Sequence, residues 1–131
     1  MSLTPLVIDL MTLFPKLIKF AMNKEKLKKA VEEFGKGRCG CLVLYNDRGE
    51  EARLWIGIDD DGEPFVSQDP QRANNEIRMH IKTLKAILSN ELDPRVAYAH
   101  DLIEVKSLDG LPVSFHAFLW FSWFEAVKDL L

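Results

Sequence analysis

The fold is decided by residues 74–108, which read NNEIRMHIKTLKAILSNELDPRVAYAHDLIEVKSL. At the start of this stretch Ile77, Met79 and Ile81 alternate with charged or polar residues. Side chains two positions apart share one face of a β-strand, so this period of two predicts a half-buried strand. Residues 102–106 alternate in the same way and predict a second strand. Two helical patterns lie between them, and the stretch therefore reads strand, helix, helix, strand.

Both intervening helices have recognisable starts. Thr83 is expected to N-cap the first helix, whose apolar positions Leu84, Ile87 and Leu88 share one face. The second helix is expected to begin at Asp93 with proline in its first turn, where the missing N–H costs nothing. Both helices are short, and each must bury its apolar side against the strands.

The residues before this stretch predict further strands. Residues 41–45 and 53–58 alternate, with Leu54 and Ile56 on one side, and polar turns follow each run. The second turn contains Asp59-Asp60-Asp61-Gly62. It lacks the alternating aspartate order of a calcium loop, and a hairpin turn is the better interpretation. Residues 65–68 are expected to form a short third strand.

Helices are predicted at both ends of the chain. Residues 1–35 form an N-terminal helical extension, in which Thr4-Pro5 is a helix start and Pro15 a kink. Residues 111–131 form a C-terminal apolar helix that is crowded with phenylalanine and tryptophan. A helix that is apolar around most of its circumference must be buried on several sides, line a cavity or form a subunit interface.

Composition restricts the classes of protein. A chain of 131 residues with 47% hydrophobic residues fits one globular domain over 1–131. The net charge of −3 gives no overall basic excess, so we expect no nucleic-acid partner. A lysine cluster at residues 24–29 is interpreted as a solvated helix face, or alternatively as a weak contact with anionic lipid headgroups. No segment has the length of an uncharged membrane span, so membrane contact is expected to be transient at most.

The two cysteines, Cys39 and Cys41, are too few and too close for a disulfide framework. They share one face of a predicted strand and have no histidine nearby in the sequence. We therefore expect free thiols, no bound metal and no cofactor, in a reducing cytoplasm.

No catalytic motif is present. We find no Gly-x-Ser-x-Gly turn, no phosphate-binding loop and no His-Glu-x-x-His helix. Glu125 is the most plausible buried carboxylate, but His116 is not its neighbour at i, i+4 on the terminal helix. We therefore predict that the protein is not an enzyme.

Residues 74–108 resemble the sterol carrier protein type 2 family. That family shows a strand, a Ser/Thr-started helix and a Gly/Ser-x-Leu-x-Pro break. A small-residue–aromatic pair, a strand and a final apolar helix then follow. The most specific part of the match is Leu92-x-Pro94 followed by Ala97-Tyr98. His100-Asp101 stands where the family often has glycine, and the terminal helix is more aromatic than usual.

The resemblance implies an α+β fold, with a mainly antiparallel sheet of about five strands and helices packed on one face. It further implies an apolar tunnel between sheet and helices, since family members bind fatty acyl chains, acyl-CoA, sterols or other lipids. The implied ligand-binding residues of this chain are Leu54, Ile56, Ile77, Met79, Ile81, Leu84, Leu88, Tyr98, Ile103, Val105, Phe115, Phe118 and Phe121.

Two alternatives stay open. The first function is that of a lipid-binding or lipid-transfer protein, with the terminal helix as a movable lid. In the second, the same apolar residues pack a solid core, and the protein is a homodimeric interaction module whose aromatic helix forms the interface.

Overall fold

A computed structural model describes residues 37–128. The predicted extension at residues 1–35 and its lysine cluster lie outside the described residues, as do residues 129–131 of the predicted terminal helix. The described elements are β1 (Arg38–Tyr45), β2 (Glu51–Ile58), β3 (Pro64–Ser67), β4 (Asn75–His80), α1 (Ile81–Leu88), α2 (Pro94–Ala99), β5 (Ile103–Ser107) and α3 (Val113–Lys128).

The strands form one five-stranded sheet in the order β3-β2-β1-β4-β5. β1 pairs with β4 in parallel, while the β1–β2, β2–β3 and β4–β5 pairs are antiparallel. The expectation of a mainly antiparallel sheet is therefore wrong, because the sheet is mixed, with a parallel pair inside it. The segment between β1 and β4 returns the chain to the end where β1 starts, so that Asn75 pairs with Gly40. Side-chain alternation reports which face is buried, and it is the same for both strand directions.

The predicted turns between β1 and β3 are confirmed. Asn46 Oδ1 accepts hydrogen bonds from the Arg48 and Glu50 N–H groups, both at 3.0 Å. In the next turn Asp59 Oδ1 accepts from the N–H groups of Asp61 at 3.0 Å and Glu63 at 2.8 Å. The carboxylate of Asp59 thus organises a hairpin turn, as the sequence predicted, by satisfying backbone donors.

The helix starts are confirmed in one case and corrected in the other. Asp93 caps α2 by accepting from the Arg95 N–H at 2.8 Å, with Pro94 in the first turn. α1 begins two residues before the predicted cap: its N-cap is His80, whose Nδ1 accepts from the Lys82 N–H at 3.0 Å. Thr83 is buried inside the helix. The imidazole of His80 is also 2.8 Å from Asp47, which holds it in the capping position.

The helices α1, α2 and α3 lie on one face of the sheet and enclose a single apolar cluster with it. Every second residue of the inner strands points into this cluster, which explains the alternation seen in the sequence. Its buried members are Leu42, Leu44, Leu54, Ile56, Ile58, Ile77, Met79, Ile81, Leu84, Ile87, Ala97, Ile103, Trp120 and Phe124.

The opposite face of the sheet carries a row of ion pairs. Arg53 contacts Glu51 and Glu76, and Arg78 contacts Glu51, all at 2.9 Å. Arg78 also lies over the ring of Tyr45, 4.9 Å from its centroid. The predicted polar side of β4 is therefore confirmed, because its charged side chains lie on the face of the sheet opposite the apolar cluster.

The capping role of His80 predicts different effects for two substitutions. His80→Leu removes the acceptor for the Lys82 N–H and should lower the free energy of unfolding by about 1 kcal/mol. His80→Asn replaces the nitrogen acceptor at the cap by an amide oxygen and should stay within a few tenths of a kcal/mol of the parent, as judged from N-cap preferences. Urea unfolding followed by circular dichroism measures both, and equal losses in the two variants would contradict the assignment.

Candidate functional site

Most of the residues implied as ligand-binding lie together in the apolar cluster. The strand residues and the start of α1 form its buried centre, with exposures between 0% and 3%. Leu88, Tyr98 and Val105 are partly buried and pack against it. The buried group consists of Leu54, Ile56, Ile77, Met79, Ile81, Leu84 and Ile103. These residues therefore lie in one region of the molecule, on the sheet and on the helices that pack against it.

The three phenylalanines of α3 that were predicted to bind ligand lie at the edge of the apolar cluster or outside it. Phe118 is 56% exposed and lies outside the cluster. Phe115 is half-buried beneath the guanidinium of Arg38, which is 5.4 Å from the ring centroid. Phe121 is half-buried and meets the edge of Tyr98, with ring centroids 5.7 Å apart.

The side of α3 that faces the cluster carries His116, Trp120 and Phe124 instead. Their exposures are 0%, 5% and 1%, and they recur every four residues along the helix. Sequence reasoning missed Trp120 and Phe124, because apolar residues on all sides of the helix hide its inward face. His116 was the available signal in the sequence, because a polar residue on the buried side of a helix implies hydrogen-bonding partners nearby.

A buried polar network joins α3 to the start of β4. The indole N–H of Trp120 donates to Asn75 Oδ1 at 2.8 Å, and Asn75 Nδ2 lies 3.1 Å from His116 Nδ1. The amide nitrogen is a donor, so Nδ1 of His116 is the acceptor and the imidazole hydrogen is on Nε2. Asn75 is 6% exposed, and its amide connects two aromatic side chains on successive turns of α3.

The network continues to the surface through Asp109. His116 Nε2 lies 2.9 Å from Asp109 Oδ1, and the other carboxylate oxygen binds Arg38 of β1. The Leu111 N–H also donates to Asp109, at 3.0 Å. Ser107 Oγ is 3.2 Å from the same histidine nitrogen. A relay of serine, histidine and carboxylate needs the two partners on opposite nitrogens, and here both lie at Nε2.

Asp109 and the two cysteines of β1 have pKa values that are shifted in opposite directions. Burial opposes ionisation of Asp109, but the Leu111 N–H, His116 and Arg38 outweigh it and hold the pKa of the carboxyl well below its usual range. Burial, with a smaller contribution from Cys41, raises the pKa of the Cys39 thiol to about 11. Burial likewise raises the pKa of Cys41. Both cysteines are free, as predicted, and both stay protonated at neutral pH.

Glycine at position 40 permits the close approach of α3 to the sheet. A Cβ atom there would lie 2.5 Å from Cζ2 of Trp120 and 2.6 Å from Oδ1 of Asn75. Both distances are shorter than real carbon contacts, so any side chain at this position would displace the indole from its hydrogen bond.

The carboxylate singled out in the sequence is not part of the buried region. The side chain of Glu125 is 55% exposed, and its carboxylate lies 3.5 Å from Arg95 on α2. The expectation that Glu125 is buried is therefore wrong, since the outward side of α3 carries it. Within residues 37–128 no group of three metal-ligating side chains comes together, and no described helix is long and apolar enough to span a membrane.

No protein-family model and no curated protein matches the sequence. Solved structures do match the fold. A protein described as UbiJ-SCP2 Ubiquinone synthesis protein aligns with a TM-score of 0.65 at 12% identity, over 96% of this chain and 99% of that chain. The apo form of sterol carrier protein 2 from Yarrowia lipolytica aligns with a TM-score of 0.62 at 9% identity, over 91% and 92% of the two chains.

A further crystal structure of sterol carrier protein 2 aligns with a TM-score of 0.61 at 13% identity, over 86% of this chain and 91% of that chain. The chain therefore has a sterol-carrier-protein-2-like fold. The resemblance found in residues 74–108 is confirmed at the level of the fold, and it extends over nearly the whole chain.

The Asn75 amide should be a major source of stability. Asn75→Leu keeps the approximate size but removes the acceptor that Asn75 offers the Trp120 N–H and the donor that it offers His116 Nδ1. Each such loss at a buried group costs about 1–3 kcal/mol, so the free energy of unfolding should fall by roughly 2 kcal/mol or more. Ser122→Ala, on the same helix as these partners, is the control and should change stability by less than about 0.5 kcal/mol. A loss for Asn75→Leu no larger than that of the control would refute the network, with urea unfolding as the measurement.

The lowered pKa of Asp109 predicts a pH dependence of stability. A carboxyl whose pKa is lower in the folded than in the unfolded chain stabilises the fold at neutral pH, and this contribution is lost as the pH falls below about 4. Asp109→Asn should therefore be less stable than the parent at pH 7, and the difference should shrink as the pH falls toward about 2. Urea unfolding at several pH values tests this, and parallel curves for the two proteins would contradict it.

Proposed function

We propose that this protein is a non-catalytic carrier that holds an apolar ligand, such as a fatty acyl chain, an acyl-CoA or another lipid, between the sheet and its helices. The observation that carries the proposal is the division of α3. Its buried and partly buried polar contacts are made with Asn75 and Asp109, while Phe124 packs into an apolar cluster that has no charged member. A ligand held there needs no polar anchor, because each buried methylene contributes about 0.8 kcal/mol.

The fold comparisons support this proposal. Proteins named sterol carrier protein 2 share the fold, but the sequence identities are too low for the ligand of one protein to be inferred for another. One neighbour is named as a ubiquinone synthesis protein, so isoprenoid chains belong beside acyl chains among the ligands to be tested. The proposed place of action is the cytoplasm, with at most transient membrane contact during loading.

A second candidate, a homodimeric interaction module, is favoured by one observation. Phe118 is 56% exposed on the outward side of α3, and aromatic side chains are enriched at the centre of subunit interfaces. Light scattering at micromolar concentration distinguishes the two candidates when the parent is compared with Phe118→Ser. A dimer that the substitution dissociates supports the module, and a monomeric parent excludes it.

The carrier proposal predicts that the protein is purified with lipid. Gently purified protein, extracted with organic solvent and analysed by mass spectrometry against a mock preparation, should yield a fatty acid, phospholipid or isoprenoid in near-stoichiometric amount. An empty extract, together with no binding of a fluorescent fatty acid by the extracted protein, would sink the proposal.

Neighbouring positions on α1 offer a matched pair of variants for the same assay. Leu84 is fully buried against the sheet, whereas Lys85 points outward. Leu84→Trp should fill the apolar region and weaken binding of the fluorescent fatty acid about tenfold, the equivalent of about 1.4 kcal/mol. Lys85→Trp should bind as the parent does. Equal binding by both variants, with circular dichroism confirming that both fold, would place the ligand elsewhere.

A further inference from the structure

We infer that, in the empty protein, the side chain of Phe124 occupies the position that a bound lipid takes. The lipid enters by displacing the second half of α3 while the first half stays fixed to the sheet. This inference rests on the proposed function and deepens it. It assigns a residue that the ligand replaces, and it gives the direction in which the helix opens.

The first half of α3 is held by polar contacts. His116 and Trp120 both bind the Asn75 amide, and His116 also binds Asp109. Arg38 makes a second connection between the sheet and this part of the chain, because its guanidinium pairs with Asp109 and lies over the ring of Phe115. These contacts join α3 to both β1 and β4, the parallel pair inside the sheet.

Among the side chains that the structure describes, those in the second half of α3 contact the rest of the molecule mainly through aromatic rings. Phe124 is 1% exposed and stacks on Trp120, with ring centroids 5.9 Å apart and an angle of 29° between the rings. Phe121 meets Tyr98 edge to face at 5.7 Å. The ion pair between Arg95 and Glu125 spans 3.5 Å between two side chains that are more than half exposed, so it holds the helix weakly.

A lipid that enters the cluster can replace the contacts of one half of α3 but not those of the other. Its methylene groups can replace the apolar contacts of Phe124, since such contacts are not directional. They cannot replace the directional hydrogen bonds of Trp120 and His116 to the Asn75 amide, so separating the first half of α3 from Asn75 would cost hydrogen bonds that a lipid does not restore. The least costly opening therefore keeps His116 and Trp120 in place and moves Phe121 and Phe124 outward.

The size of the phenylalanine side chain sets the expected gain. Burial of a phenyl ring contributes as much free energy as burial of about two to four methylene groups, so a ligand that need not displace the ring avoids a cost of that size. A ligand that no longer competes with the ring should bind about tenfold more tightly or better.

The test titrates extracted protein with a fluorescent polyene fatty acid. Phe124→Ala should bind it at least about tenfold more tightly than the parent, and Phe124→Leu should be intermediate. Leu102→Ala, which truncates an apolar residue that is 46% exposed, should bind as the parent does. A folded Phe124→Ala or Phe124→Leu with unchanged or weaker affinity overturns the inference. Absence of binding in every protein, the parent included, overturns the proposed function itself.

Hydrogen exchange of the parent protein gives a second readout, and it needs no substituted variant. With saturating fatty acid, amides of residues 121–128 should exchange faster, while those of residues 113–120 keep their protection. A loss of protection along the whole helix, or unchanged exchange in both halves, would overturn the direction of opening. Together with the titration, this measurement separates a displaced ring from a ligand that sits beside it.

Discussion

The buried amide of Asn75 is the constraint on which the arrangement of the molecule depends. Its oxygen accepts from Trp120 and its nitrogen donates to His116, so both ends of one side chain are used by successive turns of α3. This fixes the rotation of the helix about its axis as well as its position. An apolar helix packed by dispersion alone has many nearly equivalent rotations, and directional hydrogen bonds select one of them.

That rotation decides which aromatic residues reach the core. With His116 and Trp120 aimed at Asn75, Phe124 follows them inward and Phe118 is turned to the outside. The arrangement needs a strand residue without a side chain where the indole crosses β1, and Gly40 supplies it. The amide of Asn75, its two partners on α3 and one glycine thus organise a layer that is otherwise apolar, which agrees with the view that a fully satisfied polar network rigidifies a core and specifies its arrangement.

The sequence predicted the parts of this fold that depend on local chemistry. Alternation in residues 77–81 gave β4 and its faces, and Asp93-Pro94 gave the start of α2, because a capping side chain and a proline act within one turn. The pairing of β1 with β4 could not be predicted, since strand direction leaves no mark on a period of two. His80 as a cap was missed because threonine is the commoner capping residue and lay three positions away. The inward side of α3 was missed because its partner, Asn75, lies 45 residues earlier in the chain.

The separation of polar and apolar contacts also bears on how a core can be both packed and receptive. Close packing is the rule in protein interiors, so a well-filled apolar layer is no argument against a ligand. What matters is whether the groups that a ligand displaces can be replaced by its own atoms. In this chain the groups that a lipid cannot replace, Asn75, His116 and Asp109, lie at one end of α3, and the replaceable ring of Phe124 lies toward the other. In the proposed carrier, a helix divided in this way would resist opening at its polar end and open at its apolar end, which is what the carriage of apolar molecules requires of a helix that covers the ligand.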